Sequence, residues 1–224
     1  MGRHGTRAAR SSGGVHERRR ASGRTRGTGR PDATIGHGRS SLEVTFEQLV
    51  ADVVARLVAA GIPHMLTGSI ASSWYGEPRA TQDLDVVIDP LPAALDQLVG
   101  GLEADGWYVD RDVARAALSD RTQFNAIGPD AFKVDFIVRR DRPFSTAEFD
   151  RRQPAELLGT TTFLPTVEDM VIAKLEWAQA TDSDRQLRDV RGMLAIAGSD
   201  LDRTYVDGWV QRLGLGRSWE RVVG

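Results

Sequence analysis

Apolar positions fall into helix and strand periods only from about residue 45 onward. Phe46, Leu49, Val53, Leu57 and Val58 recur at three- and four-residue intervals, the spacing of one helix face, and Gly61 closes the run. Ile62 to Leu66 is short and apolar and predicts a buried strand. Gly68-Ser69 follows, with Ser69 placed to cap a helix through Tyr75 that Gly76-Glu77-Pro78 breaks. Asp83 to Val86 alternates between polar and apolar residues, and the run Asp83 to Ile88 predicts a strand with one buried face. After an Asp89-Pro90 turn, Pro92 to Ala104 reads as a helix that Gly106 stops. Trp107 to Val109 reads as a strand and Arg111 to Leu118 as a short helix. Phe124–Ile127 and Phe132–Val138 predict a hairpin across Gly128-Pro129-Asp130. From Val167 the period is helical, over Val167–Ala180, Asp184–Ala197 and Tyr205–Leu213.

These elements predict an α/β (α+β) chain without internal repeats: a small mixed sheet flanked by helices over residues 44–165, then a helical region over 166–224. Residues 1–43 are rich in Gly, Ser and Arg and lack an apolar period, so they cannot bury enough surface to offset their ordering entropy and are expected to be disordered. Charge sharpens that boundary. Residues 1–40 hold ten arginines against Glu17 and Asp32, leaving nineteen basic and twenty-nine acidic residues in the remainder. The tail reads as a solvated or start-site segment, as an electrostatic arm for nucleic acid, or as a transit-type leader. Cysteine is absent, which excludes disulfides, thiol nucleophiles and thiolate metal sites and is compatible with a cytoplasmic location. No apolar run is long enough to span a membrane.

Candidate chemistry sits on three points. Asp83 and Asp85 are two apart on a strand and so share a face, while Leu84, Val86 and Ile88 take the other. Two carboxylates that close repel each other, and a divalent cation relieves the repulsion; a solvated strand edge is the plainer reading. Asp135 interrupts the apolar run Phe132 to Val138 and is costly there unless paired or bound to metal, with Lys133 on the same face as a competing partner. Gly68-Ser69 lies at a strand-to-helix turn, where free N–H groups and the helix dipole suit a phosphate, or where the turn is simply capped.

Taken in order, Thr67-Gly68-Ser69, a short helix, Asp83-Leu84-Asp85 on a strand and Asp135 on a later strand resemble the nucleotidyltransferase superfamily of polymerase-beta-like enzymes. Gly68-Ser69-Ile70-Ala71, the stretch Arg79 to Asp85, Pro165 to Lys174 and Arg188-Asp189 are similar to the bacterial branch containing the AbiEii-type toxin nucleotidyltransferases. The resemblance spans roughly residues 60–197. It implies the nucleotidyltransferase fold and a Mg²⁺ site, with Mn²⁺ as a substitute, on Asp83, Asp85 and Asp135. It also implies a nucleoside triphosphate held by Gly68, Ser69, Arg79, Thr81, Lys174 and Asp189. The implied reaction moves a nucleoside monophosphate to an acceptor hydroxyl, with Asp135 also serving as base. Acceptors of that branch would be a tRNA end or a protein hydroxyl, with a cognate antitoxin as partner. A small-molecule acceptor such as an aminoglycoside or lincosamide, and a non-catalytic nucleotide-binding module, are the alternatives.

Physical readings of the outlying residues stay open. Lys174, one of only two lysines, lies on an apolar helix and either meets an anion such as the triphosphate or snorkels to water. Arg79 offers a planar fork to phosphate or a surface charge. Asp189 contacts the nucleotide or acceptor, or pairs with Arg185 or Arg188. The five tryptophans read as packing. The four histidines are scattered, and no P-loop or dinucleotide fingerprint is present. Deleting residues 1–40 is expected to leave the melting temperature unchanged in a thermal denaturation experiment; a large fall would show that the segment docks on the body.

Overall fold

A computed structural model describes residues 44–78 and 80–224. The expected tail, residues 1–43, and Arg79 therefore lie outside the described residues.

The helix α1 (Phe46–Ala59) opens with a reciprocal capping box: Thr45 accepts from the Gln48 N–H, and the Gln48 side chain accepts from the Thr45 N–H. The strand β1 (His64–Leu66) follows, then α2 (Gly68–Tyr75) and β2 (Asp83–Ile88). Next come α3 (Pro92–Ala104), β3 (Tyr108–Val109) and α4 (Arg111–Asp120), whose N-terminus Asp110 caps. The strands β4 (Gln123–Ile127) and β5 (Lys133–Val138) form the expected hairpin. The one buried face expected of residues 83–88 is realised: Leu84, Val86 and Ile88 are fully buried, and Asp83, Asp85 and Val87 face away from them.

One helix start differs from the sequence reading. Ser69 is not the cap of α2. Thr67 occupies the N-cap position, in extended backbone and without a side-chain capping bond, and the helix begins at Gly68. Gly68 has φ +63°, a left-handed value that glycine alone adopts without strain, so the chain turns into the helix one residue before the hydroxyl would cap it.

The sheet is mixed, as expected, with strand order β1-β2-β5-β4-β3. Only β2 and β5 run parallel; the other neighbours are antiparallel. The parallel register sets Asp83 beside Lys133 and Asp85 beside Asp135. One sheet face, with Leu84, Val86, Val134, Phe136, Phe124 and Ala126, is buried in the hydrophobic core. The helices α3 and α4 pack against the sheet edge formed by β3 and β4. The opposite face carries Asp83, Asp85, Val87, Asp135, Ile137 and Gln123.

Three elements had no counterpart in the sequence reading: α5 (Pro143–Asp150), and the hairpin of β6 (Gln153–Leu157) and β7 (Thr160–Leu164). The helices α6 (Val167–Thr181), α7 (Asp184–Ala197) and α8 (Arg203–Leu213) match the expected helical region, and α9 (Gly216–Val223) extends it. Their apolar residues join the same hydrophobic core as the sheet. The helix α6 is buried on most sides, at Met170, Val171, Ile172, Leu175 and Ala178. Among the described residues, no helix is long and apolar enough to cross a membrane.

Candidate active site

The polar face of the sheet forms the floor of a cleft of about 530 Å³, walled by α2, α5, α6 and the start of α7. Asp83, Asp85, Asp135, Gly68, Ser69, Thr81 and Lys174 all line it. Asp189 reaches the cleft only through Lys174.

Asp85 is the centre of the electrostatics. Burial and the neighbouring charge of Asp135 push its carboxyl above the ordinary carboxylate range, with a smaller contribution from Asp83. The Ser69 backbone N–H and the Lys174 ammonium pull the other way. The carboxylate thus sits at the N-terminus of α2, where the helix dipole favours an anion. It fits there because residue 68 has no side chain: a Cβ on Gly68 would stand 1.9 Å from Asp85 Oδ2. The N–H that sequence reasoning offered to a phosphate is therefore met first by the protein's own carboxylate.

Asp135, beside Asp85 in register, accepts from Lys133 Nζ at 2.7 Å. The competing ion pair is thus the observed one. Among the described residues, no three carboxylate or imidazole groups stand together in metal-ligating geometry. The donor set is nevertheless all oxygen, which suits Mg²⁺ or Mn²⁺. Asp85 is repelled by Asp135 and Asp83, and the Lys133 side chain is 41% exposed, so it can swing aside. On these grounds the three carboxylates are chemically fitted to a divalent cation once Asp135 rotates from Lys133.

Lys174 neither snorkels to water nor stands free. It is buried and donates from Nζ to Asp189 Oδ2 at 2.7 Å, so Asp189 pairs with neither Arg185 nor Arg188. Ser69 Oγ donates to Thr81 Oγ1 at 2.8 Å, and Thr81 Oγ1 donates to the Asp83 carbonyl at 3.0 Å. That chain of hydroxyls ties the turn before β2 to the helix α2. Tyr75 Oη donates to the Pro165 carbonyl at 2.8 Å and so ties the end of α2 to the approach to α6.

Several cleft residues escaped sequence reasoning. Arg142 makes a bidentate pair with Glu176, both contacts at 2.7 Å, and so pins the start of α5 to α6. Arg140 and Arg185 line the cleft, are exposed, and make no ion pair among the described residues. Trp177, read as packing, is 51% exposed in the cleft. Glu148 is buried and has no hydrogen bond or salt bridge within the described residues. Burial, then Asp169, push its carboxyl up to about 8; Arg142 opposes this and Glu176 adds to it. No short motif marks these groups.

No protein-family model and no curated relative matches the sequence. Solved structures do match. The solution structure of the antibiotic-resistance factor ANT(2'')-Ia covers 80% of this chain and 99% of that one, at TM-score 0.55 and 14% identity. Its crystal structure with adenylyl-2''-tobramycin covers 75% and 98%, at TM-score 0.55 and 14% identity. The lincomycin-bound lincosamide adenylyltransferase LnuA matches at TM-score 0.49 and 11% identity, covering 69% and 99%. The chain has the nucleotidyltransferase fold.

Two expectations follow for stability. Gly68→Ala should cost about 1–3 kcal/mol in denaturant unfolding, from the positive φ and the clash with Asp85. Replacing Asp85 by Ala in the same chain should return part of that loss, and additivity of the two changes would contradict the close approach. For Glu148 the folded pKa lies above the usual 4.5, so the stability linked to its proton is fully present below 4.5 and is lost as pH rises through about 8. Glu148→Gln should therefore flatten the fall in stability between those pH values and raise the melting temperature above pH 8. An unchanged pH profile would show that Glu148 is already ionised at neutral pH.

Proposed function

We propose that this protein is a Mg²⁺-dependent nucleotidyltransferase that moves a nucleoside monophosphate from a nucleoside triphosphate to an acceptor hydroxyl. The observation that carries this reading is the parallel register of β2 and β5, which puts Asp85 and Asp135 side by side on a cleft floor with Asp83 on the same face. A non-catalytic module would carry that repulsion without return.

Asp83, Asp85 and Asp135 would hold the cation, which supplies positive charge to the triphosphate and makes the acceptor hydroxyl more acidic. The positive end of α2 at Gly68 and Ser69, the Ser69 and Thr81 hydroxyls, and Lys174 line the cleft beside those carboxylates and would hold the phosphates. Arg140 and Arg185, unpaired and exposed on the same cleft, add charge that pairs with a polyanion. In the reaction the acceptor oxygen bonds to the α-phosphorus, the bond from that phosphorus to the bridging oxygen breaks, and pyrophosphate leaves. Asp135 takes the acceptor's proton. Catalysis is then mostly positioning and charge stabilisation.

For the acceptor, the motif resemblance supports a macromolecule, a tRNA end or a protein hydroxyl, in a toxin role with a cognate antitoxin. A second reading rests on Glu148. A buried, unpaired acid on the cleft wall gains most from an arriving cation, which favours a small amine-bearing acceptor such as an aminoglycoside. ANT(2'')-Ia, which shares the fold over nearly its whole length, was crystallised with an adenylylated aminoglycoside.

Incubation of each labelled triphosphate and Mg²⁺ with RNA, protein, aminoglycoside or lincosamide fractions tests both readings through the fraction that takes up label. Asp83→Asn, Asp85→Asn and Asp135→Asn are each expected to reduce labelling at least a hundredfold, since each removes charge at the reacting phosphate. Asp85→Asn should also hold or raise the melting temperature at pH 7. Its folded pKa is raised, so ionisation of the native carboxylate costs stability as pH climbs through that value. Wild-type labelling by the Asp85 and Asp135 variants would remove the proposed chemistry.

A further inference from the structure

On the premise that the cleft binds a nucleoside triphosphate, we infer that the α6–α7 hairpin carries the nucleobase subsite, with Trp177 as the stacking face and Gln186 as the polar group that meets the base edge.

The register of the hairpin places the two residues together. Lys174 on α6 meets Asp189 on α7 at 2.7 Å, and the two helices are joined by only Asp182 and Ser183, so they run antiparallel. One turn further along each helix toward that link brings Trp177 level with Gln186. Both residues line the cleft.

Trp177 is placed as a platform and not as packing. Trp107, Trp209 and Trp219 are buried, Trp74 is 48% exposed away from the cleft, and Trp177 is 51% exposed in its lining. Of its neighbours one turn away on the helix, Ala173 and Ala180 line the cleft and are too small to cover an indole, and Lys174 is buried against Asp189. The ring is therefore held beside the cleft with little of its own helix over it. An exposed indole gains by taking a flat apolar partner, and a nucleobase is that partner in a cleft with phosphate-binding cations.

The order of groups along the helix suits a nucleotide. Lys174 lines the cleft with Asp85, Gly68 and Ser69, so it marks the phosphate end. Trp177 follows about 4.5 Å further along the axis, at 1.5 Å per residue. On the triphosphate premise, phosphates at Lys174 leave the base one helical turn away, beside Trp177.

Gln186 supplies an independent sign. Its Oε1 is buried without a hydrogen-bond partner among the described residues, and the residue lines the cleft. A primary amide carries both a donor and an acceptor, so once turned toward the cleft it pairs with the adjacent donor and acceptor of a base edge. Trp177 then supplies affinity shared by all bases, and Gln186 supplies the preference among them.

The test is calorimetric titration of the full-length protein with Mg²⁺ and the α,β-methylene analogues of ATP, GTP, CTP and UTP, beside inorganic tripolyphosphate. Trp177→Ala should weaken the best-bound analogue about tenfold, the factor expected for one lost base stack, and leave tripolyphosphate within about twofold. Trp177→Phe should restore most of the loss. Gln186→Leu should compress the affinity differences among the four analogues and leave tripolyphosphate unchanged. Wild-type nucleotide affinity in Trp177→Ala overturns the subsite while leaving the triphosphate reading intact. An equal loss for nucleotide and tripolyphosphate also overturns it, since the residue would then act through Lys174. Failure of the wild-type protein to bind either probe overturns the triphosphate reading and the subsite with it.

Discussion

Parallel pairing of β2 and β5 forces Asp85 and Asp135 into adjacent positions on a half-buried surface, and much of the surrounding structure answers that repulsion. Asp135 is met by Lys133. Asp85 is met by the N–H of Ser69 and by the charge of Lys174. The first of these contacts requires a residue without Cβ at position 68, because the carboxylate fills that space. The second buries an ammonium, which is costly unless paired, and Asp189 on α7 pairs it. Charge therefore alternates from the sheet to α6 and on to α7. The C-terminal helices are thereby tied to the sheet by electrostatics as well as by the shared core.

The same alternation separates framework from machinery. Arg142 with Glu176, and Asp89 with Arg121 and Arg139, are closed pairs that fix elements to one another. Groups that line the cleft without such closure can engage a ligand at little internal cost. Arg140 and Arg185 are of this kind among the cations, and Glu148 among the acids. The two arginines are solvated, so their attraction for phosphate is screened by salt. Glu148 is not solvated, and its charge state is therefore the more sensitive to what enters the cleft.

How much could be read from the sequence follows from the range of each interaction. The strand at residues 83–88 and the helices over 92–104 and 184–197 were legible, because each buries one regular face and the period writes that face into the sequence. The hairpin over 123–138 was legible from its Gly-Pro-Asp turn, and with it the chance that Asp135 would reach the Asp83 strand. The β6–β7 hairpin was not. Half of its strand residues are exposed, its first strand opens with Gln153-Pro154, and its apolar residues are too few to show a period. The start of α2 was misassigned because serine is the commoner cap, whereas here the turn is set by a left-handed glycine that makes room for a side chain seventeen positions later. The partner of Lys174 was out of reach for the same reason: α6 and α7 each look self-sufficient, and only their packing joins Lys174 to Asp189.

This difference in range bears on which half of the function a sequence can carry. Gly68, Ser69, Thr81, Asp83 and Asp85 fall within eighteen residues of one another, and a strand, a turn and a short helix suffice to bring them together. Chemistry aimed at a triphosphate can therefore be written as a local motif. The opposite wall draws Arg142 from the N-cap of α5, Ser145 and Glu148 from α5, and Glu176 and Trp177 from α6, and the packing of those two helices is not set by local sequence alone. An acceptor lying against that wall would be selected by tertiary packing, by how deeply one acid is buried and which arginine is already paired. On the proposed reading, substitutions that leave every motif residue in place could thus change the acceptor, because Glu148 lies on α5 and not on the strands that carry the carboxylates.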